Sequence, residues 1–529
     1  MKRSFWLAVL MCLGAATQVH AQGLPYPSTT IEQIKGIGAE GRDQWFWPQM
    51  TGNHAGGVIT NIPWSFFQPA NTTPPCPPGQ DTYQNSCYNI LPDLDTLVQS
   101  FTNNGVLVTG ILVLPPDWAA WPGCPIPGVP VFCGVNPIYA SMFGRFAGYI
   151  AHRYNGLNGH GRIVNFVIHN EVNAPTAYFK DNCSTCTVAQ EVARYSDSYI
   201  RAYDQIKAEQ GAAKVLASMM SYFDGPDATA PGVQGFISIK TYISQLAALV
   251  GPRELKIALH AYGRLLDPTF GPDDSPLASI GMLGRVTGWL RQAFPSRPSI
   301  WEVHLTEQGL HGDLTPAGEA QQADWLCKAY QNVLGTPGVE SYMYTPATTH
   351  DGFGNEHQEL VYCALDPAKN CDTSTVRFRP AWATWALANR TDIGRASCGF
   401  ELVPYVKLSR YYSTARGHFS TTRLPPAGSN FEGSWRLWRN PQPGTHLLSE
   451  CLAASGVNYS GPHTLIDTGT CGGLTPMGPL GYAYDSPAPG LVALHRCYVS
   501  AAGFEDHFIQ TDNCGGWSDE GVVGYVLPN

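Results

Sequence analysis

Glu171 and Glu307 each close a short apolar run, the first ending IVNFVIHNE at 163–171 and the second ending IWEVHLTE at 300–307. Two carboxyl groups delivered from separate strands can share out acid and nucleophile work. One gives a proton to a leaving oxygen while the other attacks the carbon from the opposite side. Glu302 lies in the same run as Glu307, but an odd separation of five residues puts the two on opposite faces of a strand, and Glu307 is preferred because it stands at the end. A metal-dependent reaction needs clustered ligands, and His152, His169, His260 and His304 show no HExxH-like spacing. The lone Cys183-x-x-Cys186 has no second pair, so it reads as a small loop disulfide rather than a zinc or redox site. No metal and no cofactor is expected.

The elements that must hold these carboxylates alternate strand and helix from about residue 34 to 395. Strands are predicted at 56–62, 106–114, 163–170, 214–220, 255–262, 300–307 and 339–344, with a weaker first strand near Ile34 to Gly38. Helical periodicity occupies 91–104, 139–154, 188–210 and 276–294. Eight such strands complete a (β/α)8 TIM barrel. An open doubly wound sheet is the other reading, but no Gly-rich phosphate loop follows the first strands. In a barrel, active residues sit where strands end and loops begin. Trp64, Phe67, Trp118, Trp121, Tyr178 and Tyr222 lie in those loops, where they could face a ligand ring or simply pack. The two carboxylates could likewise be ordinary strand-end residues of a non-catalytic, carbohydrate-binding barrel.

The motifs VIHNEVN and HLTEQG resemble the fourth-strand and seventh-strand motifs of the large clan of retaining (β/α)8 glycosidases. More narrowly, the chain is similar to a bacterial family of glycosidases without an assigned substrate. The resemblance covers most of residues 30–395. It implies Glu171 as acid/base, Glu307 as nucleophile and Asn170 as donor to a sugar 2-hydroxyl. It also implies that His260 and Tyr262, in HAY at the end of the sixth strand, steady the nucleophile. Trp64, Trp118 and Tyr344 complete the candidate substrate contacts, although the eighth strand reads Tyr342-Met343-Tyr344-Thr345 where the clan places a tryptophan. The arginine that the clan sets beside its nucleophile has no clear counterpart.

Lys2 and Arg3, an apolar run from Phe5 to about Ala16, and Val19-His20-Ala21 have the order of a secretory signal, with cleavage expected after Ala21. A membrane anchor would need a longer apolar run, and a lipoprotein signal at Cys12 would need a smaller residue than Met11 before it. Of fifteen cysteines, loss of Cys12 leaves fourteen, an even number suited to disulfides in the exterior or periplasm. Near neighbours pair as Cys76–Cys87, Cys124–Cys133, Cys183–Cys186 and Cys363–Cys371. Charged residues make up 14% and aromatics 11%, with a net charge of -9 and no basic cluster, which disfavours nucleic acid as a partner. A poly- or oligosaccharide suits this composition, and a monomer without a membrane span is expected. These readings divide the chain into a signal peptide at 1–21, a catalytic barrel at 22–400 and an all-β domain at 401–529.

That last domain carries an internal repeat of about 44 residues. Leu408-Ser409-Arg410-Tyr411, Leu448-Ser449-Glu450-Cys451 and Leu494-His495-Arg496-Cys497 open three units. Histidine strands follow at His418, His463 and His507, then EGSWRLW, MGPLGYAY and EGVVGYVL. Cys451–Cys471 and Cys497–Cys514 fall in matching places. The tail resembles the His-Phe-Tyr-Thr-Thr repeat domains appended to secreted bacterial hydrolases. Three equivalent units suggest a threefold arrangement such as a β-trefoil, serving carbohydrate or surface attachment, with the histidines as strand-end hydrogen bonders or ligand contacts.

Overall fold

The computed structural model describes residues 23–28, 34–122, 124, 133–175, 186–227, 235–263, 277–349, 357–388, 404–414, 416–453, 463–501, 504–511 and 513–529. The signal sequence, Tyr178, Cys183 and the expected boundary near residue 400 lie outside them. Among the described residues no helix is long and apolar enough to cross a membrane.

Eight parallel strands close into a barrel: β1 (Lys35–Gly38), β2 (Gly57–Pro63), β5 (Leu107–Val113), β6 (Ile163–Ile168), β7 (Lys214–Met220), β8 (Lys256–His260), β9 (Val303–Gln308) and β10 (Val339–Tyr344). Closure excludes the doubly wound alternative, because β1 pairs with both β2 and β10. The residues of β5 and β6 are buried throughout, as helices on the outside and side chains on the inside require. Ile59, Ile111, Val113, Val167, Leu216, Ala258 and Met343 fill the interior. Gly36 makes room for them, since a Cβ there would overlap Met343 Sδ.

The helices are α1 (Trp47–Gly52), α2 (Trp64–Phe67), α3 (Pro92–Asn103), α4 (Ala140–Arg153), α5 (Val188–Glu209), α6 (Ile239–Leu249), α7 (Leu283–Ala293), α8 (Pro316–Leu334) and α9 (Pro380–Leu387). Local chemistry sets their starts. Thr187 and Gln190 cap each other's backbone at the head of α5, and Ser238 caps α6. Helical periodicity from 276 gives a helix only from Leu283, behind a short turn at Ile280–Met282.

The loops after the strands are crosslinked as their cysteine spacing predicts. Cys76–Cys87 ties the hairpin of β3 (Gln80–Tyr83) and β4 (Ser86–Asn89) to its approach segment, and Cys124–Cys133 closes the loop after β5. Cys363–Cys371 closes the segment between β11 (Val361–Tyr362) and β12 (Arg377–Phe378). Cys186 and Cys327 are also disulfide-bonded.

The tail is three antiparallel units of three strands: β13 (Tyr405–Ser413), β14 (Gly417–Thr421) and β15 (Asn430–Trp438); β16 (Thr445–Ala453), β17 (His463–Thr468) and β18 (Thr475–Tyr484); β19 (Val492–Ala501), β20 (Phe504–Thr511) and β21 (Ser518–Pro528). In each the first strand lies between the other two. The three third strands pair with one another around a threefold centre, and Leu408, Leu448 and Leu494 meet in the core. Cys451–Cys471 and Cys497–Cys514 bridge the second and third units.

The register also moves one residue. Tyr411, Cys451 and Cys497 face Phe419, Leu465 and Phe508 across their hairpins. The structural match to His418 and His507 is therefore Thr464, with His463 one step outside, and a one-residue slip turns a side chain to the other face of the sheet.

The second unit packs on α7. A Cβ on Gly284 would stand 2.6 Å from the Met477 carbonyl oxygen, so backbone meets backbone there. Arg423 pairs with Glu450 at 2.6 Å beneath the same contact. Arg439 donates to the carbonyl of Val339, the first residue of β10, at 2.6 Å.

Candidate active site

The site is built where β6, β8 and β9 end. Beyond Ile168 the chain turns sharply, with His169 at φ 60° and Glu171 at φ 44°, conformations that non-glycine residues enter only when neighbours hold them. Those neighbours come from β7 and from the segment ahead of α6. The Glu171 N–H donates to Ser218 Oγ at 2.9 Å, and the Val172 N–H to the Ser218 carbonyl at 3.0 Å. The Asn173 side chain accepts from the Met220 N–H at 2.8 Å and donates to the Ile237 carbonyl at 3.0 Å. His169 is stacked on Phe143, and burial pushes its imidazole down to about 3, so it stays neutral and packs. The turn aims Glu171 at the barrel axis, while Asn170 is buried beside it at the strand end.

His260 ends β8 and stands between the two carboxylates. Its Nδ1–H donates to Glu171 Oε1 at 2.8 Å and lies 3.5 Å from Glu307 Oε2. Tyr262 donates its hydroxyl to Glu307 Oε1 at 3.2 Å. Complete burial works against charging His260, yet Glu307 and Glu171 together hold its pKa above the ordinary imidazole value. For Glu307, burial is the largest influence and raises its pKa; His260 opposes this, Glu171 adds to it, and the Tyr262 hydrogen bond opposes it. About a quarter of the Glu307 side chain is exposed (26%), against 8% of Glu171 and none of His260, so Glu307 is the open member of the trio.

The remaining candidates divide by burial. Trp64 is fully buried, stacked on Phe146 and edge-on to Trp118, and its indole N–H donates to Gln68. Tyr344 is equally buried, with its hydroxyl donating to the Gln358 carbonyl at 2.6 Å. Neither has a free face for a sugar ring, because both fill the layer beneath the loops. Trp118 is half-buried, donates to the Gln68 carbonyl and keeps part of its ring near the surface. Trp121 lies under the Arg194 guanidinium at 3.8 Å. Glu302 sits ahead of β9 rather than within it. It is separated from Glu307 by the length of the strand, and its carboxylate is held by Lys256 at 2.6 Å, by Lys214 and by His304.

Sequence reasoning missed Ser218 and Asn173, since a serine in an apolar strand and an asparagine two residues past Glu171 carry no spacing signal. It also missed Arg379. Fully buried, Arg379 donates to the carbonyls of His357, Glu359 and Gly312 and so joins the loops after β9 and β10. Among the described residues no group of three or more His, Cys, Asp or Glu could hold a metal ion.

Fold and site together define a (β/α)8 barrel with two carboxylates and a bridging histidine at the C-terminal ends of its strands. The chain belongs to a family of unknown function, DUF5722, whose match spans residues 28–389. No curated protein matches it. It is similar in structure to a family 39 glycoside hydrolase from the gut symbiont Bacteroides cellulosilyticus, with 11% identity, a TM-score of 0.48, and 86% of this chain and 82% of that one covered. It is also similar to a monomeric β-xylosidase from Caulobacter crescentus, with 12% identity, a TM-score of 0.45 and coverage of 82% and 85%. A family 10 xylanase from Bispora gives 13%, 0.43, and 68% and 97%.

Proposed function

We propose that the protein is an exported retaining glycoside hydrolase acting on a poly- or oligosaccharide. One observation supports this reading above the others: both strand-end carboxylates contact the same His260 Nδ1, at 2.8 and 3.5 Å. Those two contacts hold the nearest carboxylate oxygens no more than about 6.3 Å apart, compact enough for both groups to act on one glycosidic bond. In the first step a Glu307 oxygen attacks the anomeric carbon, the glycosidic C–O bond breaks, and Glu171 gives its proton to the leaving oxygen. In the second, Glu171 takes a proton from water, the hydroxide oxygen bonds to the anomeric carbon, and the ester to Glu307 breaks. The Tyr262 hydroxyl fixes the attacking carboxylate, and the His260 imidazolium balances the charge of the pair. Asn170 would donate to the sugar 2-hydroxyl and Trp118 would flank the ring. Crosslinked loops suit an oxidising compartment reached through the 1–21 signal.

The test is NMR of the first-formed product from a secreted-protein polysaccharide screen. The anomeric configuration should be retained. Glu171→Ala should slow substrates with poor leaving groups far more than activated aryl glycosides and be rescued by azide, whereas Glu307→Ala should lose activity on all of them. An inverted first product would rule out Glu307 as nucleophile.

A further inference from the structure

The three tail units share a backbone but differ at four matched positions. The first and third units carry Arg410 and Arg496, Tyr412 and Tyr498, His418 and His507, and Glu432 and Glu520. The second has Glu450, Leu452, Thr464 and Met477 in the same places. No intermediate case exists: two units have the complete set and one has none of it.

The two complete sets are also alike in space. Arg410 Nε meets Glu432 Oε2 at 2.9 Å, and Arg496 Nε meets Glu520 Oε2 at 2.8 Å. His418 and His507 each place Nε2 at 3.5 Å from the same glutamates. The Tyr412 ring lies 5.1 Å from that of His418, and the Tyr498 ring 4.9 Å from that of His507. Each arginine further donates to the matched carbonyl of a neighbouring unit, Ile509 for Arg410 and Ile466 for Arg496. In the second unit the same place is closed. Arg423 from the first unit pairs with Glu450 and donates to the Met477 carbonyl, and α7 of the barrel lies over it at Gly284.

We propose that the first and third units present two equivalent binding sites for neutral saccharide units, and that the third such place has been converted into the contact that docks the tail on the barrel. Each set holds one guanidinium, one glutamate and one imidazole beside a tyrosine ring, with a second carboxylate alongside, Asp506 at 2.6 Å from His418 Nδ1 in the first unit and Asp467 at 3.6 Å from Arg496 in the third, so paired donors and acceptors line each place. The glutamate side chains remain 28% and 31% exposed, within reach of a ligand. An uncharged polyol can donate to the carboxylate and accept from the arginine at once, while the ring covers a sugar face. An anionic ligand would meet Glu432 or Glu520, and a cationic one Arg410 or Arg496. Two sites on one rigid domain would add avidity on a polymer.

The test is retention of the full chain on immobilised neutral oligosaccharides of glucose, xylose, mannose and galactose, with uronic-acid oligomers alongside. Retention on at least one neutral glycan is expected. Glu432→Gln together with Glu520→Gln should weaken it at least about tenfold, with each single variant intermediate. Tyr412→Ala with Tyr498→Ala should do the same, which keeps the test readable if removing the ion pairs disturbs folding; thermal melting of both double variants accompanies it. Absence of wild-type retention on every neutral glycan, retention on uronic acids alone, or full retention by a folded double variant would each overturn the proposal. Because retention is read rather than turnover, these outcomes leave the barrel reading untouched.

Discussion

At the residue scale, the trio of Glu171, His260 and Glu307 sets how the proposed chemistry depends on pH. Burial and the neighbouring Glu171 charge raise the Glu307 pKa, and the Tyr262 hydrogen bond partly offsets them. A nucleophilic carboxylate must be ionised, so activity should appear as pH rises through that raised value. Tyr262→Phe removes a donor to the ionised form and should move the acidic limb of the kcat/KM profile to higher pH, by roughly half a unit to one unit. An unmoved limb would mean that another group governs it. Ser218 acts one layer further out, by accepting the Glu171 N–H and so supporting a backbone that a glutamate rarely adopts. Ser218→Ala should lower kcat by about tenfold with KM little changed, since a small displacement of a proton donor is costly. The global cost should be near 1 kcal/mol, read from denaturant unfolding.

At the scale of elements, the contact between α7 and β18 is a helix laid directly against strand backbone, made possible by Gly284 and Gly288. Gly284→Val puts a branched side chain where the Met477 carbonyl lies 2.6 Å from a Cβ. Overpacking of this kind costs about 1 to 3 kcal/mol. The expected result is a melting transition lowered by several degrees, or one split into separate tail and barrel steps, seen by calorimetry. An unchanged single transition would show that the two packing surfaces are not energetically coupled. The crosslinked loops are the other elements whose placement bears on the site, because they follow the strand ends and their disulfides hold them there.

For the whole molecule, the described tail contacts fall on α7, on the end of α8 and at the first residue of β10. The carboxylates stand at the other ends of β6 and β9. Deleting residues 404–529 should therefore leave turnover of a small aryl glycoside within about twofold at moderate temperature, as expected for distant sites. It should also lower the melting temperature, because Arg439 no longer donates to the Val339 carbonyl and Thr422 no longer donates to the Gly335 carbonyl. Loss of turnover in a folded truncation would mean that the tail completes the active site.

The sequence by itself determined the order of barrel strands, the ends at which Glu171 and Glu307 fall, the pairs Cys76–Cys87, Cys124–Cys133, Cys363–Cys371, Cys451–Cys471 and Cys497–Cys514, and the threefold tail. Each is written in short-range information: short apolar, β-branched runs, residues at strand ends, close cysteines and a repeat of fixed length. Tertiary structure decided what short range cannot carry. Trp64 and Tyr344 read as ligand-facing aromatics, yet layers contributed by α4 and by the loops after β9 and β10 bury them. Ser218 and Asn173 became part of the site only because β7 lies beside β6 in the closed barrel. His463 looked equivalent to His418 and His507 until strand pairing moved it one residue out of step. In every case the deciding contact joins residues far apart along the chain, and no local spacing encodes which of them will meet.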